Sequence, residues 1–165
     1  MSWSQKITNK NIEFGLAREQ HNKPIIELVF NLNLTHSKYQ YQNFDFFDEI
    51  RGAVVEHKSF HILYHIENHT LLKTNKICCS NSLFIFEFLN GQLFYLQYSS
   101  KIFKTLKIGW IKYQHKIFKE EFFIIPNELL TPFNSTSKIN LKFKEKHRGY
   151  IQQLILDDAL KTNIC

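Results

Sequence analysis

Leu83 to Leu89 and Gln92 to Tyr98 are two strongly apolar runs separated only by Asn90-Gly91. That dipeptide suits a two-residue hairpin turn, because Asn and Gly accept the positive φ angles such turns demand. The aromatic positions Phe84, Phe86 and Phe88 in one run, with Phe94 and Tyr98 in the other, predict strands buried on both faces or nearly so. An isolated hairpin is marginal in water, so this one requires a sheet around it.

The remainder of the chain supplies candidates. Leu106 to Tyr113 and Lys116 to Ile125 read as a second strand pair, closed near Gln114-His115 and ended by Pro126. After Pro24, the alternation Ile26, Leu28, Phe30, Leu32, Leu34 predicts a strand, with Lys38 to Gln42 as its partner. Asn9 to Gln20 is expected as a short helix. Asn43 to Arg51 is expected as another, with Asn43 as cap, Asp45, Asp48 and Glu49 near its start, and Gly52 to stop it. Ile139, Leu141 and Phe143 alternate with lysines in a last strand. Lys146 to Lys161 reads as an amphipathic helix with Tyr150, Ile151, Leu154 and Ile155 on its inner stripe. Sixteen Phe, seven Tyr and two Trp against five Gly favour sheet over a helix bundle. The expectation is a single α+β domain over residues 1–165. It is mainly antiparallel, with about seven or eight strands in a curved sheet or partly closed barrel and a C-terminal helix.

The constellation most able to carry chemistry is histidine. His57, His61, His65 and His69 recur every fourth residue. In a helix such spacing lets two rings share a metal ion; in a strand neighbours stand about 13 Å apart and cannot. From Val54 to Ile66 the even positions read Val54, Glu56, Lys58, Phe60, Ile62, Tyr64, Ile66, and the odd positions carry His57, His61 and His65. This is the pattern of a half-buried strand, with the histidines on its wetter face. Such a face would gain charge as pH falls through the ordinary histidine range. The expected metal site is therefore none, and the histidines count as candidate binding residues.

Other chemistries are excluded by what is missing. The glycines at 15, 52, 91, 109 and 149 are dispersed, so phosphate-cradling loops have no basis. G-x-S-x-G and H-E-x-x-H do not occur. Cys78, Cys79 and Cys165 form neither a disulfide framework nor a zinc motif, which fits a reducing, cytoplasmic setting. No run reaches the length of a membrane span. No cofactor is implied.

The positive feature is electrostatic. The formal net charge is +6, and Lys101 to Lys119 contains six lysines and no acid, interleaved with Phe103, Trp110, Tyr113 and Phe118. Lysines that track phosphates and rings that stack on bases form the usual surface for single-stranded nucleic acid. Lys104, Lys107, Trp110, Lys112, Tyr113, His115 and Lys116 are the candidate contacts. Three readings follow. The first, by elimination, is a small non-enzymatic module that binds or occludes a partner protein, using aromatic anchors. The second is a single-stranded nucleic-acid or polyanion binder working through the 101–119 hairpin. The third is a metal-independent nuclease with His61 or His65 as acid/base.

Overall fold

The computed structural model describes residues 3–37, 44–59, 65–66, 68–76, 81–113, 116–133 and 138–143. A long helix α1 (Trp3–Phe30) precedes β1 (Thr35–His36), β2 (Phe46–Asp48), β3 (Ala53–Ser59), β4 (His65–Ile66) and β5 (His69–Lys73). Then come β6 (Ser82–Glu87), β7 (Leu93–Gln97), a one-turn helix α2 (Ser100–Phe103), β8 (Lys107–Tyr113), β9 (Lys116–Pro126) and β10 (Thr131–Pro132). The strands form two open sheets, ordered β1-β2-β3-β6-β7-β10 and β4-β5-β9-β8. The architecture is α+β and mostly sheet, and among the described residues neither sheet closes into a barrel.

Pro24 does not open a strand. It lies inside α1, which continues to Phe30. The apolar residues that follow it serve helical spacing instead: Ile26 and Phe30 are buried four apart, whereas Leu28 is 68% exposed. Packing of that stripe outweighs the local alternation. The helix ends at Asn31, whose φ of 53° is left-handed, and Leu32 N–H returns to the Glu27 carbonyl at 3.1 Å. These are the marks of a Schellman C-terminus. Arg51 Nη1 donates to the Phe30 and Asn31 carbonyls at 3.3 and 2.9 Å, satisfying groups the helix leaves open.

The expected helix over Asn43–Arg51 is instead β2 and a tight turn into β3. Asp48 closes that turn, with Oδ1 accepting from Arg51 N–H at 2.8 Å and its carbonyl accepting from Gly52 N–H at 2.8 Å. Gly52 takes a φ of 71°, which a side chain would resist. The acids mistaken for first-turn helix residues are thus turn and site residues.

The Asn90-Gly91 hairpin is present, pairing β6 with β7 antiparallel from Leu83↔Gln97 to Glu87↔Leu93. Its loop is three residues rather than two: Phe88 N–H bonds the Gln92 carbonyl, Gly91 N–H bonds the Phe88 carbonyl, and Gly91 has φ 81°. A turn closed by a left-handed glycine is the next commonest hairpin solution. All of β6 is buried, as its aromatic density implies. The β8–β9 pair also forms, from Lys107↔Ile124 to Tyr113↔Lys116.

One pairing breaks the antiparallel rule. β3 and β6 run parallel, Val54↔Ser82 through Ser59↔Glu87, with β4 and β5 of the other sheet in the connection between them. β3 is consequently flanked on both edges, and it is covered on both faces. Toward α1, Ile26 and Phe30 pack with Val55, Leu83 and Ile85. Toward the second sheet, Phe84 and Phe86 pack with Leu72, Phe103 and Ile125. Ile139, Leu141 and Phe143 form no strand but pack against the first cluster, with Ile139 N–H on the Val29 carbonyl at 2.8 Å. Lys38 to Gln42 and the expected helix at Lys146–Lys161 lie outside the described residues. Among the described residues, no helix is long and apolar enough to cross a membrane.

Candidate functional site

Arg18, Asn22, Ile26 and Phe30 follow one another every fourth residue along α1, so they make one stripe. Its lower half is apolar and packs on apolar strand residues. Its upper half is polar and meets the polar ends of β3 and β6. Arg18 forms a two-pronged pair with Glu87, Nε to Oε1 at 2.7 Å and Nη2 to Oε2 at 2.6 Å. The Asn22 amide nitrogen lies 2.8 Å from Glu87 Oε2 and 2.9 Å from His57 Nε2. Only the NH2 end can face a carboxylate, so the amide donates to both and His57 accepts at Nε2. The imidazole is then neutral, with its proton on Nδ1.

At His57 this differs from the expected wet histidine face. His57 is 3% exposed, and burial, against the opposing pull of Glu87 and Glu56, lowers its pKa to about 4. It gains no charge in the ordinary histidine range. Nor do the three described histidines share a strand: His57 belongs to the first sheet, while His65 and His69 fall on β4 and β5 of the second. β3 is described from Ala53 to Ser59. His61 lies outside the described residues. His69, half-buried, pairs with Ile66 across the β4–β5 turn and with Pro126 on β9.

Next to His57, the chain brings together a second group. Asp45 sits just before β2, its N–H on the Val55 carbonyl at 2.9 Å and its Oδ2 accepting from His57 N–H at 2.7 Å. Glu19, one residue after Arg18 on α1, hydrogen-bonds the Asp45 carboxyl group. Glu56 and Lys58 are two apart on β3 and therefore share a face. Glu56 is 4% exposed; its Oε1 is 3.5 Å from Lys58 Nζ and 3.0 Å from Lys76 Nζ, while its Oε2 has no partner. Burial, then the neighbouring charges of Glu56 and Glu19, push Asp45 well above the usual carboxylate range. Burial chiefly, and Glu56, raise Glu19 as well, against its bond to Asp45 and the nearby Lys58 and Lys76. By contrast Glu87 is held low: burial pushes it up, but Arg18 and Asn22 outweigh that.

Two carboxylates that prefer a shared proton, beside a third with an unsatisfied buried oxygen, form a site of concentrated negative potential. Its donors are all hard oxygens, the set that suits Mg2+ and similar cations. As the side chains stand, no three acidic or histidine groups among the described residues converge on one point at ligand distance. Ser59 Oγ, on the α1 face, is the other buried side-chain oxygen without a partner among the described residues. It borders a cavity of about 370 Å³ walled by Phe14, Arg18, Glu87 and the 88–91 loop.

Of the basic aromatic candidates, Lys104, Lys107 and Trp110 are exposed, Trp110 at 56%. Lys112 and Tyr113 end β8 and Lys116 opens β9. His115 lies outside the described residues. Ahead of β8, Ser99 caps the short helix α2, so Lys101 and Lys104 belong to a helical turn and not to the hairpin strands.

Asp45, Glu56, Lys58 and Glu19 are the residues that sequence reasoning missed. The signal was present in part: Glu56 and Lys58 interrupt the apolar side of a strand at adjacent same-face positions, where polar groups are unwelcome without a purpose. Glu19 and Asp45 reach the site only through tertiary structure. No family model, curated protein or solved structure matches the chain.

Proposed function

We propose that the protein is a divalent-metal-dependent phosphodiesterase acting on nucleic acid, with Asp45 and Glu56 as the metal-holding carboxylates. The observation that carries this reading is Glu56 Oε2, buried and without a partner among the described residues, beside Asp45, whose carboxyl group is held well above the usual range by burial and by the charges of Glu56 and Glu19. A folded chain tolerates such repulsion most readily where binding relieves it. Asp45 and Glu56 would hold the cation, with Lys76 now paired to Glu56 Oε1 at 3.0 Å. The ion would polarise the phosphoryl oxygen and lower the pKa of a bound water.

The chain's own residues have distinct parts in this reading. His57 holds Asp45 through its backbone N–H, and Asn22, itself held by Glu87, holds the His57 ring. Lys58, whose ammonium lies beside Glu56, is placed to stabilise negative charge on the phosphate and to orient the attacking water. The attacking water gives up a proton to solvent as its oxygen bonds to phosphorus, the P–O ester bond breaks, and the leaving oxygen takes a proton from solvent. The +6 net charge favours a polyanionic substrate. The nuclease reading formed from histidine thus gives way to one based on carboxylates.

A test is cleavage of labelled oligonucleotides by the purified chain with and without Mg2+ or Mn2+. Metal-dependent scission that Glu56→Gln and Lys58→Ala reduce at least a hundredfold supports the reading. Scission unaffected by chelator, or retained by both variants, defeats it.

The partner-protein reading keeps one specific observation. Phe14, Ile25 and Leu28 fall on one side of α1 and are exposed, apolar positions that an interaction module would use. Capture of a stoichiometric partner that Leu28→Asp releases would favour it.

A further inference from the structure

The cavity of about 370 Å³ beside Arg18 is not used by the carboxylate cluster. Ser59, on its wall, is an odd-numbered residue of β3 and so points away from the side that carries Glu56 and Lys58. Phe14 and Arg18 stand one turn apart on α1 and share a face. Ser59 and Glu87 form the last rung between β3 and β6, and the hairpin tip from Phe88 to Gly91 completes the wall. Phe14 is 46% exposed and Leu89 78%, which leaves apolar surface uncovered there, and a Cβ built at Gly91 would meet nothing within 4 Å. The volume is that of a small-ligand site.

A guanidinium carries five N–H donors in a rigid fork. Glu87 takes the Nε/Nη2 edge of Arg18, at 2.7 and 2.6 Å, and Asn22 donates to the same carboxylate at 2.8 Å. The Nη1/Nη2 edge has no partner among the described residues. Because Glu87 fixes the guanidinium, two parallel donors are in place at the cavity wall before anything binds. A ligand that answers them needs two acceptors side by side. Carboxylates and phosphates have them, but charge disfavours both: Glu87 already neutralises Arg18, and a second anion would stand against a carboxylate that is 5% exposed. A neutral flat ring with two acceptors on one edge avoids that cost and covers Phe14. Of the two purines, guanine has such an edge, O6 with N7, whereas adenine sets a donor N6–H2 beside N7. Ser59 adds a second polar point. Its buried Oγ lacks a partner among the described residues, and a turn about one bond lets that hydroxyl accept from the guanine N1–H, which adjoins O6.

We infer that this cavity is a guanine-binding pocket, in which the Nη1/Nη2 edge of Arg18 reads O6 and N7 and Phe14 packs on the face of the ring. The inference stands apart from the phosphodiesterase reading, since it needs neither metal nor cleavage. A free nucleoside and a single strand bring the same edge to the pocket.

The experiment is calorimetric titration of the full chain, in chelator, with guanosine, 7-deazaguanosine and adenosine. Guanosine is expected to bind saturably and the other two about tenfold more weakly or worse, in keeping with the worth of one bidentate contact. Arg18→Lys keeps the charge and loses the fork, so it should bring guanosine and adenosine to equal affinity. Arg18 also supports Glu87, and 7-deazaguanosine, which lacks the N7 acceptor, asks the same question without altering the chain. Phe14→Ala should weaken guanosine about tenfold through the lost ring contact. Inorganic phosphate should not displace guanosine. A trinucleotide with one central guanine that binds at least tenfold more tightly than guanosine makes a strand the source; equal or weaker binding makes it the free nucleoside, and both uphold the pocket. No saturable binding of guanosine, equal binding of adenosine or 7-deazaguanosine, or displacement by phosphate overturns it.

Discussion

The backbone N–H of His57 donates to Asp45 Oδ2 at 2.7 Å, while the His57 ring accepts from Asn22 at Nε2, 2.9 Å away. One residue thus fixes the carboxylate cluster on one side and is itself fixed by the Arg18–Glu87–Asn22 network on the other. The same residue sets how the protein responds to acid. His57 has a folded pKa of about 4 against an ordinary 6.5, so its neutral form stabilises the fold fully above pH 6.5. As pH falls from 6.5 toward 4, the unfolded chain takes up a proton that the folded chain refuses. The loss reaches about 3 kcal/mol by pH 4. His57→Gln can still accept from Asn22 but cannot titrate, and chemical denaturation of the two proteins across this range should show the wild type losing stability relative to the variant.

Asp45 has the opposite sign. Its pKa is raised in the folded state, so its ionisation opposes folding above that raised value and the opposition fades as pH falls through it. At neutral pH and without metal, Asp45→Asn should stabilise the chain by about 1 kcal/mol, since Asn keeps the acceptor for His57 N–H and removes the repulsion. For a chain of this size that corresponds to a rise in melting temperature of roughly 2–4 °C. Loss of stability on the same substitution would mean that the cluster is a satisfied structural network.

Arg18 is only partly exposed, and Glu87 is buried beneath it. Arg18→Met leaves that carboxylate with the Asn22 amide alone. Discounted for the solvent that reaches Arg18, the expected cost is about 2 kcal/mol, measured by urea denaturation. Arg18→Met with Glu87→Gln should recover most of it.

Gly91 has φ 81° with open space around its Cα, so only backbone strain opposes a side chain there. Gly91→Ala should cost about 1–2 kcal/mol, and Gly91→Asn less, because Asn tolerates the left-handed region. Thermal melts of both variants check this.

How far the sequence could be read follows the same physics. The β6–β7 and β8–β9 hairpins were legible because turn residues and alternation are local signals. Residues Ile26 to Leu34 misled, since a stripe at every fourth residue and an alternation at every second can coexist in one segment, and packing against Val55 and Ile85 decided between them. The parallel pairing of β3 with β6 left no mark, because a central strand buried on both faces loses its alternation. The histidine repeat drew attention by its regularity, yet its described members, His57, His65 and His69, are divided between two sheets. The carboxylate cluster needed Glu19, Asp45 and Glu56 from three elements, and only Glu56–Lys58 was visible as an oddity on an apolar face.

The most direct test of the central claim is a thermal melt of the chain with increasing Mg2+ or Mn2+, beside Asp45→Asn and Glu56→Gln. The cluster as a cation site predicts a concentration-dependent rise in melting temperature for the wild type that both variants lose. A wild-type melting temperature that does not move, or one that rises equally in Glu56→Gln, would contradict it.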